Sequence, residues 1–347
     1  MRRTALAVAV LTASASLLAA CGGGSSGGGS TDKGSGSQSA QAELVSSVQA
    51  LASSSTLTAS VKLGGTGSQV LAFVKAEKKG VSLTPAQAAD IAGVSINFEV
   101  AAPKGETLSQ LSGLTEAGAA ANISVVDGGT TLLDIRFVNG TLYLQADLKD
   151  VLNDIGKAST YRQMAAAASS FPGFLSALVE DKWVSLPVST LKQLTGSGAS
   201  GSTSTPAASS HQFLAAVEGL LTKDVTVTRT SSGDTDHLTL MTNARTLVGD
   251  VTSTFDTLVP SAGSILGGIK PSSAPDKSVT LNATVTNGAL SALTFDLGQL
   301  AKNGSLTLPL ALAIAQGGTT ISAPSGATAV DVSTLDSLLG SLGGSGL

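Results

Sequence analysis

Cys21, His211 and His237 are the cysteine and the two histidines of this 347-residue chain, and they bound the chemistry it can do near neutral pH. Zinc sites draw their ligands from closely spaced Cys, His and carboxylate residues, and no group here has that spacing. The His-Glu-x-x-His and Walker A patterns are both missing. Residues 23–27 read Gly-x-Ser-x-Gly and residues 196–201 read Gly-x-Gly-x-x-Gly. Each lies in low-complexity Gly/Ser sequence, and neither follows a strand and opens a helix, the context that makes a nucleophile elbow or a phosphate loop. His237 stands beside Asp236, which could orient it as a base for a serine; a partly exposed histidine at a strand end is the plainer reading. Asp147 and Asp150 read as helix-start charges that favour the dipole. The expectation is a protein without catalytic, metal or cofactor chemistry of its own.

Cys21 is different, because of what precedes it. Arg2 and Arg3 are followed by an uncharged Ala/Leu/Val run over 5–20 that ends Leu18-Ala19-Ala20-Cys21. A charged start, a short apolar run and small residues at its end make a signal peptide. The run is too short for a spanning helix, which needs about 20 apolar residues. Leu-Ala-Ala-Cys resembles the lipobox of bacterial lipoproteins, in which the Cys thiol receives a diacylglycerol and becomes the new N-terminus. Several acyl chains on one cysteine satisfy the rule that stable anchoring needs more than one. Residues 1–20 are thus expected to be removed, and the protein to sit on the outer face of the cytoplasmic membrane, with the membrane itself as a partner through acylated Cys21.

Composition agrees. With one cysteine no disulfide can form within the chain, so its stability must come from buried apolar surface, which a domain of this length can supply. Charged residues are 13% of the sequence and aromatics 3%, against about 25% charged in typical chains, so the surface must be built from Ser, Thr and Gly. Loss of Arg2 and Arg3 leaves 18 basic against 24 acidic residues, a net charge of −6 with histidine neutral. Such a chain lacks the basic footprint of a nucleic-acid binder.

Residues 22–41 are Gly/Ser-rich and hold nothing that packs into a core. They read as a flexible tether with a reach of roughly 25 Å. A second low-complexity stretch, 196–210, interrupts the remainder. The expected organisation is one domain over 42–347 with that stretch as a surface loop; two subdomains, 42–195 and 211–347, are the alternative, since long insertions cost little loop entropy.

Two hairpins are legible. Asn139-Gly140 and Asn287-Gly288 are pairs favoured in two-residue type I′ turns, where both residues take positive φ. Pairing across the first sets Phe137 beside Leu142, Ile135 beside Leu144 and Leu133 beside Ala146 on one face, with Asp134, Arg136, Thr141, Tyr143 and Gln145 on the other. That alternation suits an antiparallel sheet with one apolar side. Across the second turn the apolar phase slips, which predicts a bulge near Ser291. Further strands are expected at 57–63, 94–100, 122–126, 224–228, 237–241 and 306–315, and helices at 42–52, 85–91, 161–171, 189–194, 212–221 and 243–258. Antiparallel strands broken by a few helices make the fold class α+β. Arg136 opposite Tyr143 reads as a cross-strand cation–π pair or as part of a rim for a lipid head group.

The order of these features resembles the LppX/LprG-type actinobacterial lipoproteins. The resemblance is carried by the lipobox, the tether, a short amphipathic helix with Leu44, Val48 and Leu51, and a first strand over 56–61. It continues through Leu142-Tyr143-Leu144, the Trp183-Val184-Ser185-Leu186 strand, a long hairpin, Ile321-Ser322-Ala323-Pro324-Ser325-Gly326 and an acidic tail at Asp331. It covers 42–347 and implies a LolA-like fold: a strongly curved antiparallel sheet, an incomplete barrel, whose helix-covered concave face encloses an apolar cavity. It implies lipid acyl chains as the ligand. The chain departs from the pattern in the 196–210 stretch and its extra length. Acyl chains need only aliphatic walls, because removing apolar area from water drives their binding, and Leu133, Ile135, Phe137, Leu142 and Leu144 could supply one. On the residues alone, the same five read more readily as solid core, in a binding or scaffolding lipoprotein with no lipid ligand, and it is the resemblance that favours a cavity wall.

Cys21→Ala should abolish acylation and leave the protein unprocessed, cut by the general signal peptidase, or released. A variant that still partitions into detergent as fully as the parent would show that Cys21 is not the anchor.

Overall fold

A computed structural model describes residues 39–77, 83–111, 113, 116–154, 157–170, 173–190, 224–258, 271–301, 306–318 and 320–330. Cys21, the signal segment, nearly all of the tether, the 196–210 stretch, the helix expected at 212–221, most of that at 189–194 and the acidic tail lie outside these residues. In chain order the elements are α1 (Ala40–Ala52), β1 (Thr56–Leu63), α2 (Gly67–Glu77), α3 (Pro85–Gly93), β2 (Val94–Ala101), β3 (Ala120–Asp127), β4 (Thr130–Val138) and β5 (Thr141–Ala146). Then come α4 (Leu148–Asp154), α5 (Ala158–Ser170), α6 (Phe174–Val179), β6 (Val184–Pro187), β7 (Thr226–Ser232), β8 (Thr235–Asn243), α7 (Ala244–Leu258), β9 (Ser278–Thr286), β10 (Ala289–Asp296), β11 (Pro309–Gln316) and β12 (Thr328–Ala329).

All twelve strands join one curved, unclosed sheet in the order β12-β6-β5-β4-β3-β2-β1-β11-β10-β9-β8-β7. Every neighbouring pair is antiparallel except β12 with β6. The architecture is α+β. Strands from both sides of the 196–210 stretch share this sheet, since β1 pairs with β11 along its length, from Leu57 with Gln316 to Leu63 with Leu310. The pairs β3–β4, β4–β5, β7–β8 and β9–β10 meet through two-residue turns. Asn139 and Gly140 have φ of 50° and 72°, and Asn287 and Gly288 have 52° and 76°, the positive pair that a type I′ turn demands. The β9–β10 register shifts between Leu290 and Ala292, so Ser291 is the expected bulge; its hydroxyl donates to the Thr284 carbonyl at 3.1 Å.

Strand alternation sorts the side chains onto two faces. Leu144, Ile135, Ile123, Phe98, Ala59 and Ile314 stand side by side across six strands. On the other face the matching row is Tyr143, Arg136, Asn122, Glu99, Thr58 and Ala315. The helices cover the apolar, concave face. Helix α1 starts at Ser39, whose hydroxyl accepts from the Ala42 N–H, an ordinary N-cap. It presses Leu44 and Leu51 against Leu57, Val100, Leu238 and Ala283, and Leu44 is fully buried. Helices α2 and α3 form a second cluster from Val70, Val74 and Ala88 with Leu308. Gly67 is required there, because a Cβ would lie 2.8 Å from the Ala89 backbone. At the open edge, β7 is exposed and rich in Thr and Ser, which discourages edge-to-edge association.

Glu43 carries a charge into the α1 interface. Its carboxylate accepts from Arg229 Nη1 of β7 at 2.7 Å, beside Asp236 of β8. Burial raises the Glu43 pKa, Arg229 works against that rise, and Asp236 adds to it. Asp236 is lowered by hydrogen bonds from Ser231 and then from Glu43. A carboxyl whose pKa is raised by folding binds its proton more tightly in the folded state. Its contribution to stability is therefore lost as pH rises from the ordinary value, 4.5, through the raised one. Glu43→Gln, which stays neutral, should flatten that decline relative to the parent in urea melts taken across this window. A parallel pH dependence in the two proteins would remove Glu43 as its source.

Candidate functional site

The β4–β5 hairpin holds the five residues expected to line a cavity. The predicted register is observed: Leu133 faces Ala146, Ile135 faces Leu144 and Phe137 faces Leu142. The next strand continues the surface with Ile123 beside Ile135 and Ala121 beside Phe137. All five share the helix-bearing face with the core residues of β1 and β2, yet their burial differs. Leu57, Ile96, Phe98 and Val100 are 2–3% exposed, whereas Leu133, Ile135, Phe137, Leu142 and Leu144 are each only partly buried. They lie between the α1 cluster, centred on β1, β2 and β7–β10, and a smaller cluster under α6 in which Phe174, Ala177 and Val184 pack with Leu144. Two open hollows on the described surface lie elsewhere. One of about 360 Å³ borders Ser39, Val45 and Gln49 of α1, and one of about 240 Å³ lies among Lys277, Asp296, Gln299 and Thr307.

The end of the hairpin near Ala146 is acidic. Asp127 follows Val126 on β3, Asp147 leads into α4 and accepts from the Asp150 N–H at 2.9 Å, and Asp154 ends α4. Desolvation first, and then repulsion from Asp90, raises the pKa of Asp127; Asp154 is raised by desolvation and by Asp90, Asp127, Asp150 and Asp147. Among the described residues no group of three or more His, Cys, Asp or Glu side chains could hold a metal ion. Asp236 and His237 are consecutive strand residues and so point to opposite faces: Asp236 towards Glu43, His237 outward beside Thr230 and Thr284. They do not form a dyad. Among the described residues no helix is long and apolar enough to cross a membrane.

The polar face gives one correction. Arg136 and Tyr143 are register partners as expected, but the Arg136 guanidinium stacks 4.7 Å from the centroid of the Trp183 ring. It also donates to Asp134 at 2.9 Å, and Asp134 is 8% exposed. A strand-adjacent residue two positions away and an aromatic one strand further out outcompete the direct neighbour because the long arginine side chain reaches diagonally. Trp183 was findable as a partner: it precedes β6 by one residue, so alternation puts it on the face of Ser185, which pairs with Tyr143.

No protein-family model matches the chain. No curated protein sequence matches it significantly. Among solved structures, the chain is similar to the Mycobacterium tuberculosis lipoprotein LppX, with 11% identity and a TM-score of 0.32 over 82% of this chain and 98% of that one. The α+β architecture stands on the strand register described above.

Packing separates two positions on the hairpin, since both are partly buried but Leu144 also joins the cluster under α6. Ile135→Trp should fold with a melting shift below about 4 °C, because its side chain is only partly buried. Leu144→Trp should cost about 1 to 3 kcal/mol through overpacking against Phe174 and Ala177, where 1 kcal/mol moves the midpoint of a domain this size by roughly 2 to 4 °C. Equal and large losses in both, measured by circular dichroism melts, would mark the hairpin as plain core.

Proposed function

We propose that this protein is a membrane-anchored envelope lipoprotein, held by acylated Cys21, that binds lipid acyl chains against the aliphatic face of β3–β5. One observation carries the reading. Leu133, Ile135, Phe137, Leu142 and Leu144 form a continuous apolar patch on the helix-bearing face and stay partly exposed, while equivalent positions two strands away are sealed. Apolar surface that faces inward yet stays partly exposed is what an acyl chain covers. Each methylene taken from water there is worth about 0.8 kcal/mol, so no polar anchor is needed for useful affinity. A flexible Gly/Ser tether over 22–41 would give the domain a reach of roughly 25 Å from the bilayer, enough for it to meet lipids at the membrane surface.

The competing reading is a binding or scaffolding lipoprotein with a solid core. It draws on Leu144, which packs with Phe174, Ala177 and Val184.

Protein lacking residues 1–21, purified from a lipid-containing host, should release bound lipid in native mass spectrometry and take up a fluorescent fatty acid, with Ile135→Trp lowering that uptake. Protein that carries no lipid and takes none up would leave the scaffold as the better account.

A further inference from the structure

Strand β12 forms one edge of the sheet, and its direction decides where the chain goes next. It runs parallel to β6, with Thr328 level with Val184 and Ala329 with Ser185. The Val330 N–H then donates to the Ser185 carbonyl at 2.8 Å, so the next pair in register is Val330 with Leu186. The Val330 side chain packs with Phe174, Ala177 and Val184, which places it on the helix-bearing face. Leu186 pairs with Leu142, Leu142 with Phe137 and Phe137 with Ala121. The described chain therefore stops at the head of an apolar row, at the end of the hairpin nearer the Asn139-Gly140 turn and away from Asp147. All four residues of the row are only partly buried. Sealed positions flank them: Val184 under α6, and Val100 of the α1 cluster at the far end of the row.

Residues 331–347 continue the chain beyond the described residues, and their sequence suits such a row. At 3.6 residues per turn, Val332, Leu335, Leu338, Leu339 and Leu342 fall within one arc of about 120°, with Ser, Thr, Gly and Asp336 around the rest. Ser333 and Asp336 have the spacing of a capping box ahead of the leucines. An amphipathic segment that lies on a bilayer carries Lys or Arg on its polar side, and 331–347 has neither. Its length is sufficient as well. From β12 to β3 are four strand spacings, about 19 Å at 4.8 Å each. A helix over 333–342 spans about 15 Å, and the two residues before it add up to about 7 Å, so the segment reaches every strand of the row.

We propose that residues 332–342 dock as an amphipathic helix across Leu186, Leu142, Phe137 and Ala121, and that this segment and an acyl chain exclude each other from the face. So short a connection keeps the segment at an effective concentration on the order of millimolar, and an acyl chain must displace it to bind. The exclusion rests on the acyl-chain reading; the docking does not.

Trp183 is the one tryptophan of the chain, so energy transfer from it to cis-parinaric acid reports acyl binding, while amide exchange over 332–342 reports docking. The test uses the full chain in amphipol, with empty amphipol as the blank. The parent is compared with Leu335→Asp/Leu339→Asp, which spoils the apolar side of the segment, and with Leu142→Asp, which spoils the face. The segment variant changes only residues outside the described fold, so it decides the matter if the face variant misfolds. In the parent, exchange over 332–342 should be slow, and saturating cis-parinaric acid should speed it. Both variants should lose the slowing. A face occupied most of the time lowers apparent affinity by its free fraction, so Leu335→Asp/Leu339→Asp should bind the probe about fivefold more tightly than the parent. Equally fast exchange in parent and segment variant would overturn the docking, as would slowing that persists in a folded Leu142→Asp. Slowing that disappears on dilution would overturn it too, because the segment would then belong to a second copy. Equal probe affinity in parent and segment variant would overturn the exclusion. Slow exchange in the parent, with no saturable transfer in either protein, would support the docking and sink the acyl-chain reading, and the exclusion with it.

Discussion

Helix α1 lies over the seam where the two ends of the chain meet, and the packing of Leu44 and Leu51 into that seam is what the rest of the sheet depends on. Strand β1 pairs with β11 about 250 residues further along. Pairing at such a separation carries a loop-closure cost that local hairpins do not. The cluster around Leu44 offsets it by joining residues from β1, β2, β8, β9 and β10 in one dry contact. The two half-sheets on either side are each assembled from neighbouring strands and hairpins, and could form locally. Only under α1 are they committed to a shared curvature, and the Glu43–Arg229 pair at its margin fixes which edge the helix leans toward.

What was legible in the sequence follows this division between local and distant. Asn139-Gly140 and Asn287-Gly288 prescribed their own turns, because few other residue pairs tolerate two consecutive positive φ angles. Once a turn is fixed, register follows, and with it the facing of Ile135 and Leu144. Ser291 was found the same way, from a slip in apolar phase. Helix α2 went unread although Val70 and Val74 stand four apart, and α4 and α6 are too short for periodicity to declare itself. Strand β7 was placed early, at 224–228, because Thr226 to Ser232 hold only one apolar residue, Val227, to set a phase. The adjacency of β1 with β11 had no local signal at all. For Arg136, alternation with Ser185 puts Trp183 on the right face, but nothing local says where a diagonal reach ends.

The five inward residues of the β4–β5 hairpin show the same limit in another form. Alternation predicted correctly that Leu133, Ile135, Phe137, Leu142 and Leu144 share the inward face, but it is silent on how deeply that face is covered. Coverage depends on helices, and helices are distributed unevenly here: α1 packs mainly against β10 and β7, in one cluster with Leu57 of β1 and Val100 of β2, while α6 reaches mainly Val184 and Leu144. With aromatics at 3% of the sequence, few side chains are large enough to fill a wide concavity. A sheet of twelve strands paved with Ala, Val, Ile and Leu is more easily left partly hollow than one lined with Phe and Trp.

The scarcity of charge acts on the opposite face. A convex surface with few Lys, Arg, Asp and Glu is held together by hydroxyl and amide ladders, as where Ser60 donates to Asn97 at 2.7 Å and Asn97 to Ser124 at 3.4 Å across three strands. Such ladders bind neighbouring strands to one another but place no limit on the overall curl, since each bond spans a single strand spacing. A restraint on curl must cross several strands at once. Arg136 reaches further, from Asp134 on its own strand to the Trp183 ring beside β6. The apolar face is covered by helices, whereas the polar face carries these side-chain links between strands.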